Sequence, residues 1–295
     1  MNYTIKFSPL IQHLFSKPLL SVVIFAGLAC SPQMIILQQK PEWAKGGYHY
    51  YVGRIEKKLL RSPDDPVLLQ KGCEALTQYT FGFIMEEADR LMTIDYNGGK
   101  ELYSQANEHF NQAVQYGNKS LMLKFEKYDG WISNQSDLTP KFTDEDVPNL
   151  FWTAAAYGGA IKSSRGNPEW VILLPRVGQL LETALTIDSN WNKGAIYSAM
   201  ISYTMSRPDP PNKKESIAED FFKKAVIASN GLDLGPYVTL AESVMISTQN
   251  RNEFTNLLYK ALNIDMKADP DLALANQINR NRAQWLMDNI DEFFY

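Results

Sequence analysis

From Pro41 onward, apolar positions recur at spacings of three and four, and no sustained apolar/polar alternation interrupts them. Tyr48, Tyr51, Val52, Ile55, Leu59 and Leu60 fall on one face of a helix predicted over 42–61. Ser62-Pro63-Asp64-Asp65-Pro66 stops it, with Asp65 placed to cap a second helix that has Pro66 at its first position. That helix is predicted over 67–92, a break falls at Asn97-Gly98-Gly99, and a third helix runs over 102–128. A polar stretch over 133–143 follows, and Thr143 with Asp146 forms a capping-box pattern. It opens a helix carrying Leu150, Phe151, Trp152, Ala154, Ala155, Ala156, Tyr157, Gly158 and Gly159, which ends near Ser164-Arg165-Gly166-Asn167-Pro168. Arg207 to Asn212 and Asn230 to Pro236 interrupt the later helices, and Asp269-Pro270 opens the last one.

Four helix ends share a small Ala beside an aliphatic residue: Ala113-Val114, Ala184-Leu185, Ala225-Val226 and Ala261-Leu262. These alanines are 71, 41 and 36 residues apart, near two periods and then one period of a tetratricopeptide-type helix pair. An Ala lets the next helix approach closely. The fold class predicted is all-α, either a TPR-like helical-repeat solenoid or a bundle of antiparallel helix pairs.

The first 29 residues differ from the rest. Lys6 and Lys17 are their only charges, Leu19 to Leu28 is almost wholly apolar, and Ala29-Cys30 follows. A basic start, a short apolar run and a small residue before a cysteine describe an export signal, and the run is short for a membrane-spanning helix. The Ala29-Cys30 junction resembles a bacterial lipobox, with Gly27 and Leu28 departing from its usual pattern. That resemblance implies lipidation of Cys30; an ordinary signal peptide leaving Cys30 as a free thiol is the alternative. Acyl chains would hold the mature N-terminus at a membrane surface, and Ser31 after Cys30 is compatible with the outer membrane. The organisation predicted is a signal peptide over 1–29, a lipidated tether over 30–40 and a single helical domain over 41–295. Cys73, the other cysteine, lies among apolar helical positions and is expected buried and reduced.

The composition, 45% hydrophobic and 21% charged over 295 residues, is that of a folded globular protein. Removing Lys6 and Lys17 takes the net charge from −4 to −6. An acidic chain with no Lys/Arg cluster lacks the footprint of a nucleic-acid binder. No HExxH, CxxC or GxSxG occurs, so neither a metal site, a cofactor nor a catalytic constellation is expected. Asn97-Gly98-Gly99-Lys100 lacks the first glycine of a phosphate loop and reads as a turn. Asp144-Glu145-Asp146 reads as helix-start acids, and His109 as a surface residue. Trp152, Tyr157, Trp191 and Tyr197 are candidates for lining a groove or apolar cavity, core packing being the alternative.

From 54 to 294 the chain resembles the T-component family of TRAP transporters. The carriers are Ser62 to Pro66, Asp146-Val147 with Leu150-Phe151-Trp152 and Ala154 to Gly158, Leu181 to Leu185 with Asp188, Lys193-Gly194-Ala195, Ala218 to Ala225, and a tail including Leu274-Ala275-Asn276 and Arg282-Ala283. Asp209-Pro210-Pro211-Asn212, where a glycine-containing segment is expected, and Gly159 depart from it. The resemblance implies a non-enzymatic periplasmic lipoprotein that partners a TRAP-type substrate-binding protein, self-associates, and holds or passes a small organic or hydrophobic ligand in a cavity or pore. A TPR-type scaffold in envelope assembly is the second reading.

Overall fold

The computed structural model describes residues 41–295 except 208 and 210, with side chains described from 45. The signal peptide, Cys30 and the tether lie outside the described residues. Among those described, helices joined by short turns account for the regular structure, and no strand occurs. The first half comprises α1 (Pro41–Leu59), α2 (Pro66–Tyr79), a π-helical turn (Thr80–Met85), α3 (Glu86–Leu91), α4 (Tyr96–Lys124), α5 (Tyr128–Ile132), α6 (Val147–Ser163), α7 (Pro168–Val171) and α8 (Leu174–Ile187). The second comprises α9 (Trp191–Ser206), α10 (Lys214–Ala228), α11 (Gly235–Leu240), a second π-helical turn (Ala241–Met245), α12 (Arg251–Leu262) and α13 (Ala273–Asp288).

Local chemistry sets several of the helix starts. Asp65 accepts hydrogen bonds from the Val67 and Leu68 amides at 3.0 and 3.1 Å, ahead of Pro66. Asp146 Oδ2 accepts from the Thr143 amide at 3.0 Å, and Lys124 pairs with Oδ1 of the same carboxylate at 3.1 Å, tying the end of α4 to the start of α6. Asp269 accepts from the Asp271 amide at 3.1 Å just before α13.

Packing follows chain order: α1 lies on α2, then α2, α4, α6 and α8 are successive neighbours, and α9 pairs with α10. The four alanines at helix ends, Ala113, Ala184, Ala225 and Ala261, are fully buried, as expected of close-approach positions. Two hydrophobic cores result. One runs from Val52 to Tyr203, the other from Ile201 to Phe294, and both draw on α9. The stretch Pro168–Ile187 has the length and apolarity to cross a membrane, but Leu174, Leu180, Leu181 and Ala184 are in the first core.

Three readings of the sequence are corrected. Asn97, Gly98 and Gly99 do not break the chain: Asp95 caps the Gly98 amide at 3.1 Å, so the turn lies at 92–95 and the glycines form the first turn of α4. A side chain at Gly99 would meet the Met92 backbone nitrogen at 2.9 Å, so these glycines serve close approach. The helix predicted over 67–92 is interrupted by the π-helical turn, which an apolar spacing pattern does not register. His109 is half-buried, its ring 6.0 Å from that of Tyr79 and its Nδ1 enclosed without a hydrogen-bond partner among the described residues.

Candidate functional site

The two halves enclose a cleft of about 650 Å³. Aromatic rings form much of its wall: Tyr48 from α1, Phe81 and Phe83 from the first π-helical turn, Trp152 from α6 and Trp191 at the start of α9. The second half supplies Val238 from α11 and Leu274, Ala275 and Ile278 from α13. A second cleft of about 440 Å³ lies on the other side of Lys162, Glu242 and Arg282, which line both spaces.

Arg282 is the centre of that dividing wall. It is 8% exposed, and a guanidinium so enclosed needs matched charge. Glu242 Oε1 accepts from its Nη2 at 2.5 Å and from its Nε at 3.1 Å. Asp89 Oδ2 lies 2.9 Å and Glu86 Oε1 3.7 Å from Nη1. Asp89 also accepts a short hydrogen bond from the Tyr103 hydroxyl and faces Lys162 Nζ at 3.8 Å. Burial alone would lower the Arg282 pKa; Glu242, Glu86 and Asp89 outweigh it and hold the guanidinium charged. Burial pushes the Glu86 carboxyl up, with Arg282 pulling against it. The cluster joins α3 and α13, so it clasps the first half to the second across the cleft.

The local folding that delivers these groups is unusual in the same way on both sides. Glu86 follows the first π-helical turn and Glu242 lies in the second. A π turn inserts one residue into the helical ladder and rotates the side chains beyond it, and such turns are frequent at functional sites. Gly82, in the first, brings that turn against α13: a side chain there would meet Ile278 Cδ1 at 3.0 Å.

A second departure borders the same cleft. Asn192, Lys193 and Gly194 take left-handed backbone angles, φ 46°, 57° and 86°, immediately after Trp191. Two of these carry side chains and so are strained. Lys193 Nζ bonds Asp269 closely and Asp271 at 3.3 Å, which anchors the strained turn to the segment that leads into α13. Gly194 is required twice over: its φ is left-handed, and a Cβ would lie 2.7 Å from that of Ala228.

The four aromatic residues singled out in the sequence separate. Trp152 and Trp191 line the cleft, both held against Phe151 at ring distances of 5.1 and 4.8 Å. Tyr157 is buried in the core, where its hydroxyl accepts from Asn118 Nδ2 at 2.8 Å and Arg176 Nη1 at 3.1 Å. Tyr197 is half-buried beside Phe221, with Lys224 Nζ 5.9 Å from its ring centre. Arg282, Glu86, Glu242, Tyr48 and Phe83 were not singled out as site residues. A signal existed for Arg282: it falls in the apolar stripe Ile278, Arg282, Ala283, Leu286 of α13, where an uncompensated charge is costly.

The family model described as "TRAP transporter T-component" matches residues 38–294. An uncharacterized protein of Treponema pallidum (strain Nichols) is 22% identical over 221 residues, which cover 73% of this chain and 68% of that protein.

Proposed function

The chain belongs to the TRAP transporter T-component family, and on that premise we propose that it is a non-enzymatic accessory lipoprotein which binds a periplasmic substrate-binding protein and holds or passes a small ligand in its central cleft. Membership implies an accessory role in a membrane-associated transport system. The observation that supports the finer reading is the cleft itself: about 650 Å³, walled by aromatic rings from the first half and from Trp191, with aliphatic side chains of α11 and α13 opposite. Ligand sites are concave, mostly apolar and placed at such junctions. Trp152 and Trp191 are the residues assigned to its wall. Arg282 with Glu86, Asp89 and Glu242 sets the boundary between this cleft and its neighbour.

In this reading 41–295 is one TPR-like helical unit that self-associates. It is tethered through 30–40 to a lipid on Cys30 and faces the periplasm, on the outer membrane. The test is affinity purification of the full-length protein from gently solubilised cells, with mass spectrometry of what accompanies it. A TRAP-type substrate-binding protein in stoichiometric amount is the expected outcome. Recovery of envelope-assembly proteins in its place would overturn the reading.

A further inference from the structure

The outer face of α1 carries charge of one sign. Tyr50, Tyr51, Arg54, Lys57 and Lys58 stand three and four residues apart along it and are exposed, as is Arg61 just past its end. Four cations spread over residues 54–61 make no run in the sequence, and the helix gathers them. Among the described residues no salt bridge engages any of the four. The acids nearby are turned elsewhere. Glu56 accepts from Gln112 Nε2 at 3.2 Å on the inner side, Asp64 pairs with Lys119 at 2.7 Å, and Asp65 caps α2. Residues 45–61 thus hold five cations and one acid in a chain whose net charge is −4.

The two tyrosines belong to the same face. Tyr50 is 67% and Tyr51 50% exposed, and the Arg54 guanidinium lies 6.0 Å from the Tyr50 ring centre. The helix itself is fixed to the body: Val52, Ile55 and Leu59 are buried on its opposite side, and Lys45 pairs with Glu87 of α3 at 2.5 Å. A cationic face studded with tyrosines fits an anionic lipid surface. Each Lys or Arg beside such a surface strengthens partitioning about fivefold. A tyrosine ring settles at head-group level, its ring in the apolar layer and its hydroxyl in water. Chain order brings this face near a bilayer. Only residues 31–40 separate Cys30 from α1, so α1 begins within about 35 Å of any lipid carried there.

We propose that the outer face of α1 is a membrane-docking surface. Arg54, Lys57, Lys58 and Arg61 meet the phosphates of an anionic bilayer, and Tyr50 and Tyr51 lie among its head groups. On its inner side α1 carries Tyr48, part of the cleft wall. Docking therefore holds that wall about one helix diameter, about 10 Å, above the lipid. It is independent of what the cleft holds, and takes from the lipid-anchor reading only the nearness of the tether.

The experiment is co-sedimentation at pH 7.5 of the mature protein carrying Cys30→Ser, which has no lipid of its own. The vesicles are phosphatidylcholine alone, or phosphatidylcholine with about 30 mol% phosphatidylglycerol to supply a negative surface potential. The expected result is binding to the anionic vesicles, little to the neutral ones, and release at about 0.5 M salt, where the charges are screened. Arg54→Gln/Lys57→Gln/Lys58→Gln should weaken anionic binding roughly a hundredfold, three cations at about fivefold each, while Lys57→Arg/Lys58→Arg retains it. Tyr50→Ser/Tyr51→Ser should weaken it and keep the salt dependence. Lys100, Lys127 and Lys260 are exposed on other elements, and changing all three to Gln removes the same charge yet should alter binding no more than about twofold. Matching urea midpoints show that the variants are folded. Equal binding to both vesicles, binding to neither, or an equal loss in the two triple variants overturns the proposal. So does a change of oligomeric state in the α1 triple variant with vesicle binding intact, which assigns the face to a second copy of the chain. Because the protein tested carries no lipid, none of these outcomes depends on acylation of Cys30.

Discussion

Replacing Arg282 by Met tests whether the central charge cluster joins the two halves. The substitution keeps much of the side-chain length and removes the guanidinium, leaving Glu86, Asp89 and Glu242 facing one another with Lys162 beside Asp89 and Arg90 beside Glu86 as the nearby cations. Breaking a fully buried ion pair by removing one partner costs about 3–5 kcal/mol, because the remaining charge is stranded. Here the side chains of Glu86 and Glu242 keep 21% and 28% of their exposure, against 11% for Asp89. Water reaches two of the three stranded acids, which scales the cost to about 2–4 kcal/mol. Urea denaturation followed by circular dichroism at pH 7.5 measures it. The pH dependence gives a second signature. Burial already raises the Glu86 carboxyl, and Arg282 is the larger of two cations that oppose that rise, Arg90 being the other. Without Arg282 its folded-state pKa moves further above the unfolded value, so the folded state takes up more protons as pH falls. The variant therefore recovers stability relative to wild type between pH 7.5 and pH 5. A loss below about 1 kcal/mol at pH 7.5, or a loss that does not shrink at pH 5, would show that the cluster is solvated and clasps nothing.

Trp152 is half-buried on the cleft wall, so Trp152→Ala should cost less than the roughly 3–5 kcal/mol of a core Trp and weaken 1-octanol binding; full core cost with unchanged binding would refute its assignment to the wall. Gly159→Ala drives a methyl into the Phe110 ring at the α4–α6 contact and should destabilise by about 1–3 kcal/mol through overpacking, read from the urea midpoint. Cys73 is fully buried, and burial pushes its thiol up to about 12; in a Cys30→Ser background it should stay unlabelled by a thiol reagent until urea unfolds the protein. Burial lowers the pKa of His109 below its ordinary value. The unfolded chain then binds the extra proton first, so this contribution is intact above about pH 6.5 and fades as pH falls below it. His109→Leu should flatten the stability profile between pH 7 and pH 5, measured by the same denaturation.

Much of this protein was legible along the chain. Apolar spacings of three and four gave the helices, and the caps at Asp65, Thr143/Asp146 and Asp269 gave several of their starts. These are local effects, decided within one turn by a side chain and the amides it reaches. The four alanines at helix ends were legible for a related reason: a small residue at a helix-packing position leaves a fixed mark in the sequence, and all four are buried. Propensity misled at Asn97-Gly98-Gly99, where a cap two residues earlier outweighed the glycines. It also misplaced His109, since one polar residue beside Glu108 does not disclose which neighbour will cover it.

The site is another matter. Trp152 and Trp191 were noticed as aromatic, yet nothing local separates them from Tyr157, which packs in the core. That separation depends on which face of α6 meets α4 and which meets the opposite half. Arg282 and its three carboxylates stand about 200 and 40 residues apart along the chain, so their pairing is decided by the docking of α13 against α3 and the second π-helical turn. The two π-helical turns that aim Glu86 and Glu242 at Arg282 are a one-residue change in hydrogen-bond register, invisible to periodicity and settled by the packing around it. The sequence alone determined the helices, their caps and the small residues between them, because those interactions close within a few residues. Only the tertiary structure decided where two helical halves leave a space, and which charges would face each other across it.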